Sequence, residues 1–161
     1  MKRNVFILLI ISFIFCQQAL NAQVRYGTGI NYSTWLNTPG VNLRVELGIT
    51  DALAAVPMLD INLPRFSTWT LINGASLHLH YNVGIVEELD LYPLAGLTIK
   101  SYLDFDRYSS TFHKFSFNPT GGAGGKLKLS ETFEVFAEGR LEIGRYSQFV
   151  GTIGILLRPD R

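Results

Sequence analysis

Apolar and polar residues alternate with a period of two over most of the chain after Gln23, and no stretch keeps a helical spacing for long. Such alternation is typical of β-strands, because successive side chains of a strand point to opposite faces. It predicts eight strands, at residues 24–36, 41–50, 52–63, 68–83, 89–103, 116–129, 132–143 and 146–158. All eight are ten residues or longer, which is enough for the roughly 9 to 11 tilted residues needed to cross a bilayer.

The two faces of these predicted strands differ in chemistry. One face is apolar along its whole length, with Asn73 as its main polar residue. The opposite face carries His78, His80 and every charged residue of the strands: Arg25, Arg44, Glu46, Asp60, Asp90, Lys100, Lys126, Lys128, Glu134, Glu138, Arg140, Glu142 and Arg158. In a membrane barrel one face meets lipid and the other lines the interior, so this split predicts a barrel that lies in a bilayer.

A soluble lipocalin-like barrel, which would bind a small apolar ligand, also alternates. Its polar face would meet solvent and would have no need of glycine, whereas here the polar face carries Gly27, Gly29, Gly48, Gly74, Gly96, Gly122, Gly124 and Gly154. The absent side chains leave room in a narrow lumen for long charged ones. Aromatic residues near strand ends on the apolar face also favour the membrane barrel, as interfacial girdles: Tyr26, Tyr32, Trp69, Tyr81, Phe117, Phe133 and Phe149.

The composition limits the alternatives further. The chain has 161 residues, is 47% hydrophobic and 17% charged, and has a formal net charge of +1, which excludes a disordered chain and most nucleic-acid binders. Residues 1–22 have the features of a cleaved signal peptide, with Lys2 and Arg3 before a short apolar stretch and Ala22 at the cleavage point. Residues 23–161 then form one barrel domain. The only cysteine, Cys16, is removed, so the mature chain can form neither a disulfide nor a thiolate metal site.

The connections between strands are expected to alternate between inner turns and outer loops, with both termini on the inner side. The inner turns at 48–53 and 128–133 each place a hydroxyl residue and then an acid at the tip, where side-chain oxygens can accept from turn amides. A third, longer inner turn is predicted at 83–89. The outer connections are 37–40, 64–67, 104–113 and 144–146, of which only one is long.

Two segments carry a resemblance to a known family: LGITDALAAVP at 47–57 and LSETFEVFAEGR at 129–140. The chain resembles the small outer-membrane barrels of the OmpX/OmpA-transmembrane type, and most closely the porin-like barrels common in Bacteroidota. The resemblance implies an all-β, eight-stranded antiparallel up-and-down transmembrane β-barrel in the outer membrane of a Gram-negative-type cell. It also implies outer-membrane lipids and lipopolysaccharide as surroundings, and the barrel-assembly machinery as a partner. That machinery usually reads a terminal aromatic residue, whereas this chain ends LLRPDR.

Charged residues predict the state of the lumen. The interior of an eight-stranded barrel is just wide enough to be filled by side chains, so we expect a plugged lumen and no open pore. Arg44, Glu46, Glu138 and Arg140 are expected to form an interior ion-pair network, because an unpaired buried charge costs several kcal/mol. In the family such pairs act as structural plugs and sometimes as gates, and the structural interpretation is favoured here.

Two histidines are a weak candidate for metal binding. His78 and His80 lie two apart on one strand face and could present two imidazoles to one ion, with Asp60 on the preceding strand as a third ligand. Two histidines on a polar lumen face are more often hydrogen-bonded filler. We therefore expect no metal and no cofactor.

The long outer loop at 104–114 combines mixed charge with three aromatic residues. This composition suits surface binding, with Asp104, Asp106, Arg107, Tyr108, Phe112 and His113 as candidates for contact with an extracellular ligand that the sequence does not identify. The predicted role is structural or adhesive and not enzymatic. The rival is a lipid-modifying barrel enzyme of the lipid A deacylase type, whose chemistry would have to use His113, Ser109 or Ser110 with an acid from the same loop.

Overall fold

The computed structural model describes residues 24–35, 37–63, 71–103, 113–144 and 147–159, with the backbone alone at 71–72, 102–103 and 113–114. The predicted signal peptide and most of the long outer loop lie outside these residues. The described residues contain no helix that is long and apolar enough to span a membrane.

Within the described residues, nine antiparallel strands build one sheet. They are β1 Val24–Ser33, β2 Thr38–Gly48, β3 Leu53–Asn62, β4 Leu71–Tyr81, β5 Val83–Val86, β6 Leu89–Leu103, β7 His113–Lys128, β8 Phe133–Glu142 and β9 Gln148–Leu157. Each long strand pairs with the next along the chain, β4 pairs with β6, and β1 pairs with β9. The sheet is therefore a closed eight-stranded up-and-down barrel, with β5 as an extension at its inner end.

The β5 strand corrects one sequence prediction. Val83 pairs with Leu91 in the same register that pairs His80 with Leu94, so β5 continues β4 after a break at Asn82. The predicted long turn at 83–89 is wrong, because the turn is confined to residues 87–88. Val83 and Gly84 keep the register of the β4–β6 ladder, and the register shifts between Gly84 and Val86.

The other two inner turns share one hydrogen-bond pattern. The amides of Ile49 and Thr50 both donate to the carbonyl oxygen of Leu53, at 2.7 and 3.0 Å, and the amides of Leu129 and Ser130 donate in the same way to Phe133, at 3.0 and 3.1 Å. The hydroxyl of Thr50 accepts from the Leu53 amide at 3.0 Å. This last contact confirms the expected side-chain cap in the first turn.

Burial alternates along the strands as the sequence predicts. Ile30 is 71% exposed on the outside, whereas Arg140 is 1% exposed inside the barrel. Among the strand residues whose side chains are described, every Asp, Glu, Lys and Arg faces the lumen. The apolar face is the outer face, and a soluble barrel with an apolar interior is contradicted.

Candidate functional site

Large side chains fill the lumen, and it is the part of the molecule in which ionisable groups converge. The largest fully buried side chains are Arg140, Tyr92, Lys126, Phe136, Leu156, His78, His80 and Glu142. Since charged groups in this set are out of contact with water, each requires a partner inside the barrel.

Glu138 is at the centre of the lumen. Its carboxylate accepts from the Arg44 guanidinium at 2.8 Å and from Arg140 at 3.2 Å. The hydroxyl of Tyr92 donates to the same carboxylate at 3.2 Å. Arg44 also lies over the ring of Phe136, 3.9 Å from its centroid. Strands β2, β6 and β8 are thus joined across the barrel interior through one acid.

A second set of polar contacts extends from Arg140 towards the outer end. Arg140 contacts Asp60, and the same carboxylate accepts from the side-chain amides of Asn31 and Asn42 at 2.6 and 2.8 Å. On its other side Arg140 lies 3.4 Å from Glu142, which also contacts Lys100 and accepts from Gln148. The positive and negative groups alternate, so each buried charge has an opposite neighbour.

A separate cluster lies at the inner mouth. Glu46 contacts Lys126 at 2.6 Å and Arg25 at 3.2 Å, and Arg25 continues to Glu134 at 3.3 Å. Lys126 lies 4.7 Å above the centroid of the Tyr92 ring, so Tyr92 joins this cluster to Glu138. The structure thus brings Arg44, Glu138 and Arg140 together, while Glu46 belongs to the neighbouring cluster.

Glycines on the inner face provide the space for these side chains. A Cβ atom at Gly27 would lie 2.9 Å from Cγ of Arg44, and one at Gly154 would lie 2.7 Å from the ring of Phe136. A Cβ at Gly122 would lie 2.7 Å from Cα of Arg140. Because real Cβ atoms are not found so close, these positions are restricted to glycine.

The two histidines do not form a metal site in this arrangement. Their ring centroids are 6.4 Å apart, and His80 stacks on Tyr92 with the centroids 4.5 Å apart. None of the four ring nitrogens has a hydrogen-bond partner among the described residues, and the carboxylate of Glu138 lies 3.9 Å from Nε2 of His80. Asp60, the third predicted ligand, is engaged by Arg140. Within the described ranges, no three His, Cys, Asp or Glu side chains are placed to hold a metal ion.

Sequence reasoning missed an apolar part of the lumen. Ala54, Val56 and Met58 form a buried cluster on the inner face of β3, and Leu94 and Leu156 are buried on β6 and β9. The alternation of the sequence could have identified them, because these apolar residues occupy lumen-facing positions, which on other strands carry charged residues. The interior is therefore sealed by apolar contacts as well as by ion pairs.

Nearly all of the residues proposed for surface binding lie outside the part of the chain that the structure describes. Asp104, Asp106, Arg107, Tyr108 and Phe112 lie outside the described residues. The backbone of His113 begins β7 opposite Leu103, at the outer end of the barrel. The loop is therefore attached at the end opposite the inner turns.

No protein-family model and no curated protein sequence matches the chain. Solved structures do match. The N-terminal β-barrel domain of OprF from Pseudomonas aeruginosa has a TM-score of 0.69 at 18% identity, and the match covers 85% of this chain and 98% of that one. Ail, the attachment invasion locus protein of Yersinia pestis, has a TM-score of 0.64 at 13% identity, with 86% and 97% covered.

Neisserial surface protein A is a further structural neighbour, with a TM-score of 0.63, 13% identity, and 84% and 96% of the two chains covered. At these identities the likeness is one of fold. The chain has the closed eight-stranded antiparallel barrel of the small outer-membrane proteins, and the resemblance inferred from its sequence is confirmed at the level of fold.

Proposed function

We propose that the protein is an integral outer-membrane barrel with a structural or surface-interaction role and no enzymatic activity. One observation carries the proposal: the described strand residues present aliphatic and aromatic side chains outward and charged ones inward. Only a surrounding that is itself apolar makes that arrangement stable, because in water the outer face would cost free energy over the whole circumference.

Location is tested by cell fractionation, together with gel migration of unboiled and boiled samples. We expect the protein in the outer-membrane fraction and a heat-dependent shift in migration. Recovery of the protein free in the periplasm, with no such shift, would contradict the membrane proposal. The predicted cleavage after Ala22 is checked on the same sample by sequencing its N-terminus.

The lumen supports a closed barrel and not a diffusion pore. Glu138, Arg44 and Arg140 meet at the centre of the interior, and the buried cluster of β3 fills space beside them. The test is single-channel recording in a planar bilayer, in which we expect no stable conductance of the porin size. A large, stable open level would overturn the proposal of a plugged lumen.

A surface interaction is assigned to the outer loop, with Asp104, Asp106, Arg107, Tyr108 and Phe112 as the candidate contacts and His113 at its end. The composition of the loop supports this role, as does its attachment at the outer end of the barrel. Ail, a structural neighbour, is known in complex with the heparin analogue sucrose octasulfate. That example makes immobilised heparin a reasonable first probe.

The loop is tested in cells that display either the parent chain or a variant with residues 104–112 replaced by a Gly-Ser linker of equal length. We expect the parent cells to be retained on heparin and the variant cells to be lost, with both barrels heat-modifiable. Equal retention of both cell types would contradict the assignment to the loop. The substitution of Ser109 and Ser110 by alanine is the matched control, since it changes neither charge nor aromatic content.

The enzyme alternative rests on the same loop. Among the outward-facing strand residues described, none is an acid or a histidine, so acyl transfer to a membrane lipid would depend on His113 and loop hydroxyls. Lipid A mass spectra from a deletion strain and from a strain with His113→Ala decide the matter. We expect unchanged spectra, and a lipid A species that changes in both strains would establish the enzyme.

A further inference from the structure

The outer surface of the barrel contains a concavity on β7, β8 and β9. Outward positions that carry Leu, Ile or Phe elsewhere are occupied there by small residues that pair across the ladder: Ala123 with Gly139, Gly125 with Ala137, and Gly139 with Gly151. They form the floor of a groove of about 1290 Å³, which we call the outer groove.

Large apolar side chains close the two ends of the outer groove. One register row runs from Leu91 on β6 through Gly125 and Ala137 to Ile153 on β9 and Ile30 on β1. The first and last strands of this row are four steps apart, so the groove spans roughly 19 Å from Leu91 to Ile30 at about 4.8 Å per step along the sheet. The groove crosses the strands, and strands of such barrels are tilted, so it runs obliquely to the membrane normal.

The chemistry of the floor excludes a polar occupant. At the floor of the groove, β7, β8 and β9 each pair with a neighbouring strand on both sides, and the barrel is closed, so the groove offers no strand edge to a peptide. Those polar side chains of β7, β8 and β9 that the structure describes point into the lumen. The groove offers mainly apolar contact, although its lining also includes the lumen-facing residues Asn31, Glu138 and Thr152.

We infer that the outer groove holds an acyl chain of a membrane lipid, an inference that rests on the proposed membrane location. The groove is continuous with the lipid-facing surface, because its walls Leu91, Val83, Ile30 and Ile153 belong to that surface. An acyl chain is apolar throughout, needs no hydrogen bond and can follow an oblique path. Small residues let it approach the backbone closely.

A second copy of the chain fits the outer groove less well. A two-fold contact places the same patch on both partners, so one concave floor would face another and leave a void between them. In a head-to-tail contact, the outer groove of one copy would hold the leucine-rich face of the next, at Leu43, Leu59 and Leu77. Each copy would then keep one free groove and one free leucine-rich face, so the contact would tend to extend into a filament.

The inference is tested in vesicles of dioleoylphosphatidylcholine that contain a small fraction of phosphatidylcholine with a diazirine in the middle of one acyl chain. After irradiation, mass spectrometry locates the labelled residues. We expect several-fold more label on β7–β9 than on β2–β4. The double variant Ala123→Leu with Ala137→Leu fills the groove and should lose this excess, whereas the control Ala75→Leu adds the same side chain on the outer face of β4 and should keep it.

Heat-dependent gel migration of each sample shows whether the barrel is folded and inserted, and so separates the proposal of a membrane location from that of a lipid in the outer groove. A folded, inserted barrel that is labelled evenly around its circumference overturns the lipid groove and leaves the membrane location intact. Protein–protein cross-links at the groove in place of lipid label overturn it in favour of a second copy. A chain that fails to insert at all contradicts the proposed function, and the groove inference with it.

Discussion

Replacement of Leu43 by arginine is the most direct test of which face meets lipid. Leu43 is the middle residue of β2, with five residues on either side, and its side chain is 44% exposed on the outer surface. At about 3.3 Å per residue and a tilt of about 45°, it lies about 12 Å from either end of the strand when the distance is taken along the membrane normal. A charge there is close to the middle of the apolar band.

We expect Leu43→Arg to destabilise the inserted barrel by about 2 to 4 kcal/mol, because that is the cost of arginine on a lipid-facing strand at mid-membrane. Leu97→Arg on β6 repeats the test on the opposite half of the chain, where Leu97 is 60% exposed. Leu43→Met is the matched control, since it keeps the volume and adds no charge, and its cost should stay below about 1.5 kcal/mol.

The measurement is an equilibrium urea titration in vesicles of dilauroylphosphatidylcholine, followed by tryptophan fluorescence and heat-dependent migration. Thr98→Arg supplies the inward comparison. Thr98 is fully buried and hydrogen-bonds with Ser76 and Thr120 at 2.9 and 3.0 Å, so a larger side chain there costs by overpacking. If both leucine variants refold like the parent while Thr98→Arg fails, the faces are inverted and the reasoning is refuted.

Three further predictions follow from the contacts inside the barrel and at its turns. Glu138→Ala leaves Arg44 and Arg140 without their shared acid and should lower the free energy of unfolding in urea by about 3 to 5 kcal/mol. The double variant Glu138→Ala with Arg44→Ala should lose less stability than the sum of the two single variants. Gly154→Ala should cost about 1 to 3 kcal/mol by overpacking against the backbone of Thr28 and Gly29 and the ring of Phe136, whereas Gly121→Ala, with its nearest neighbouring atom at 4.0 Å, should unfold like the parent; equal urea midpoints for the two would contradict the packing argument. Thr50→Ala removes the acceptor of the Leu53 amide and should cost about 0.5 to 1.5 kcal/mol in the same titration, whereas Thr132→Ala in the second turn, whose hydroxyl contacts only Ser130 at 3.5 Å, should cost less.

The sequence was sufficient to predict which side chains face lipid and which face the lumen. Because successive side chains of a strand alternate between its two faces, one charged residue such as Arg44 assigns the lumen face of its whole strand. The sequence was not sufficient to predict the ion pairs. Arg44 and Glu46 lie on one face of one strand, yet Arg44 reaches Glu138 on β8 while Glu46, nearer the inner mouth, meets Lys126 on β7. Those choices depend on the tilt of the strands and on the relative height of the residues.

The break between β4 and β5 shows a second kind of limit. Composition placed a turn from Val83 onward, but the ladder continues to Val86, because Val83 keeps its pairing with Leu91. Strand ends are decided by the partner strand as much as by local residues. The lumen histidines illustrate the same point, since their spacing alone cannot show that Asp60 is engaged elsewhere, by Arg140.

The ion pairs of the lumen also constrain how the barrel is assembled. Arg44 and Glu138 are 94 residues apart in sequence, and Asp60 and Arg140 are 80 apart, so Arg44 and Asp60 in the first half of the strands have ion-pair partners in the second half. A partly built sheet in a bilayer would present those charges, and an open strand edge, to hydrocarbon. Closure and insertion must therefore occur together, and a fragment that ends after β4 should remain outside the membrane.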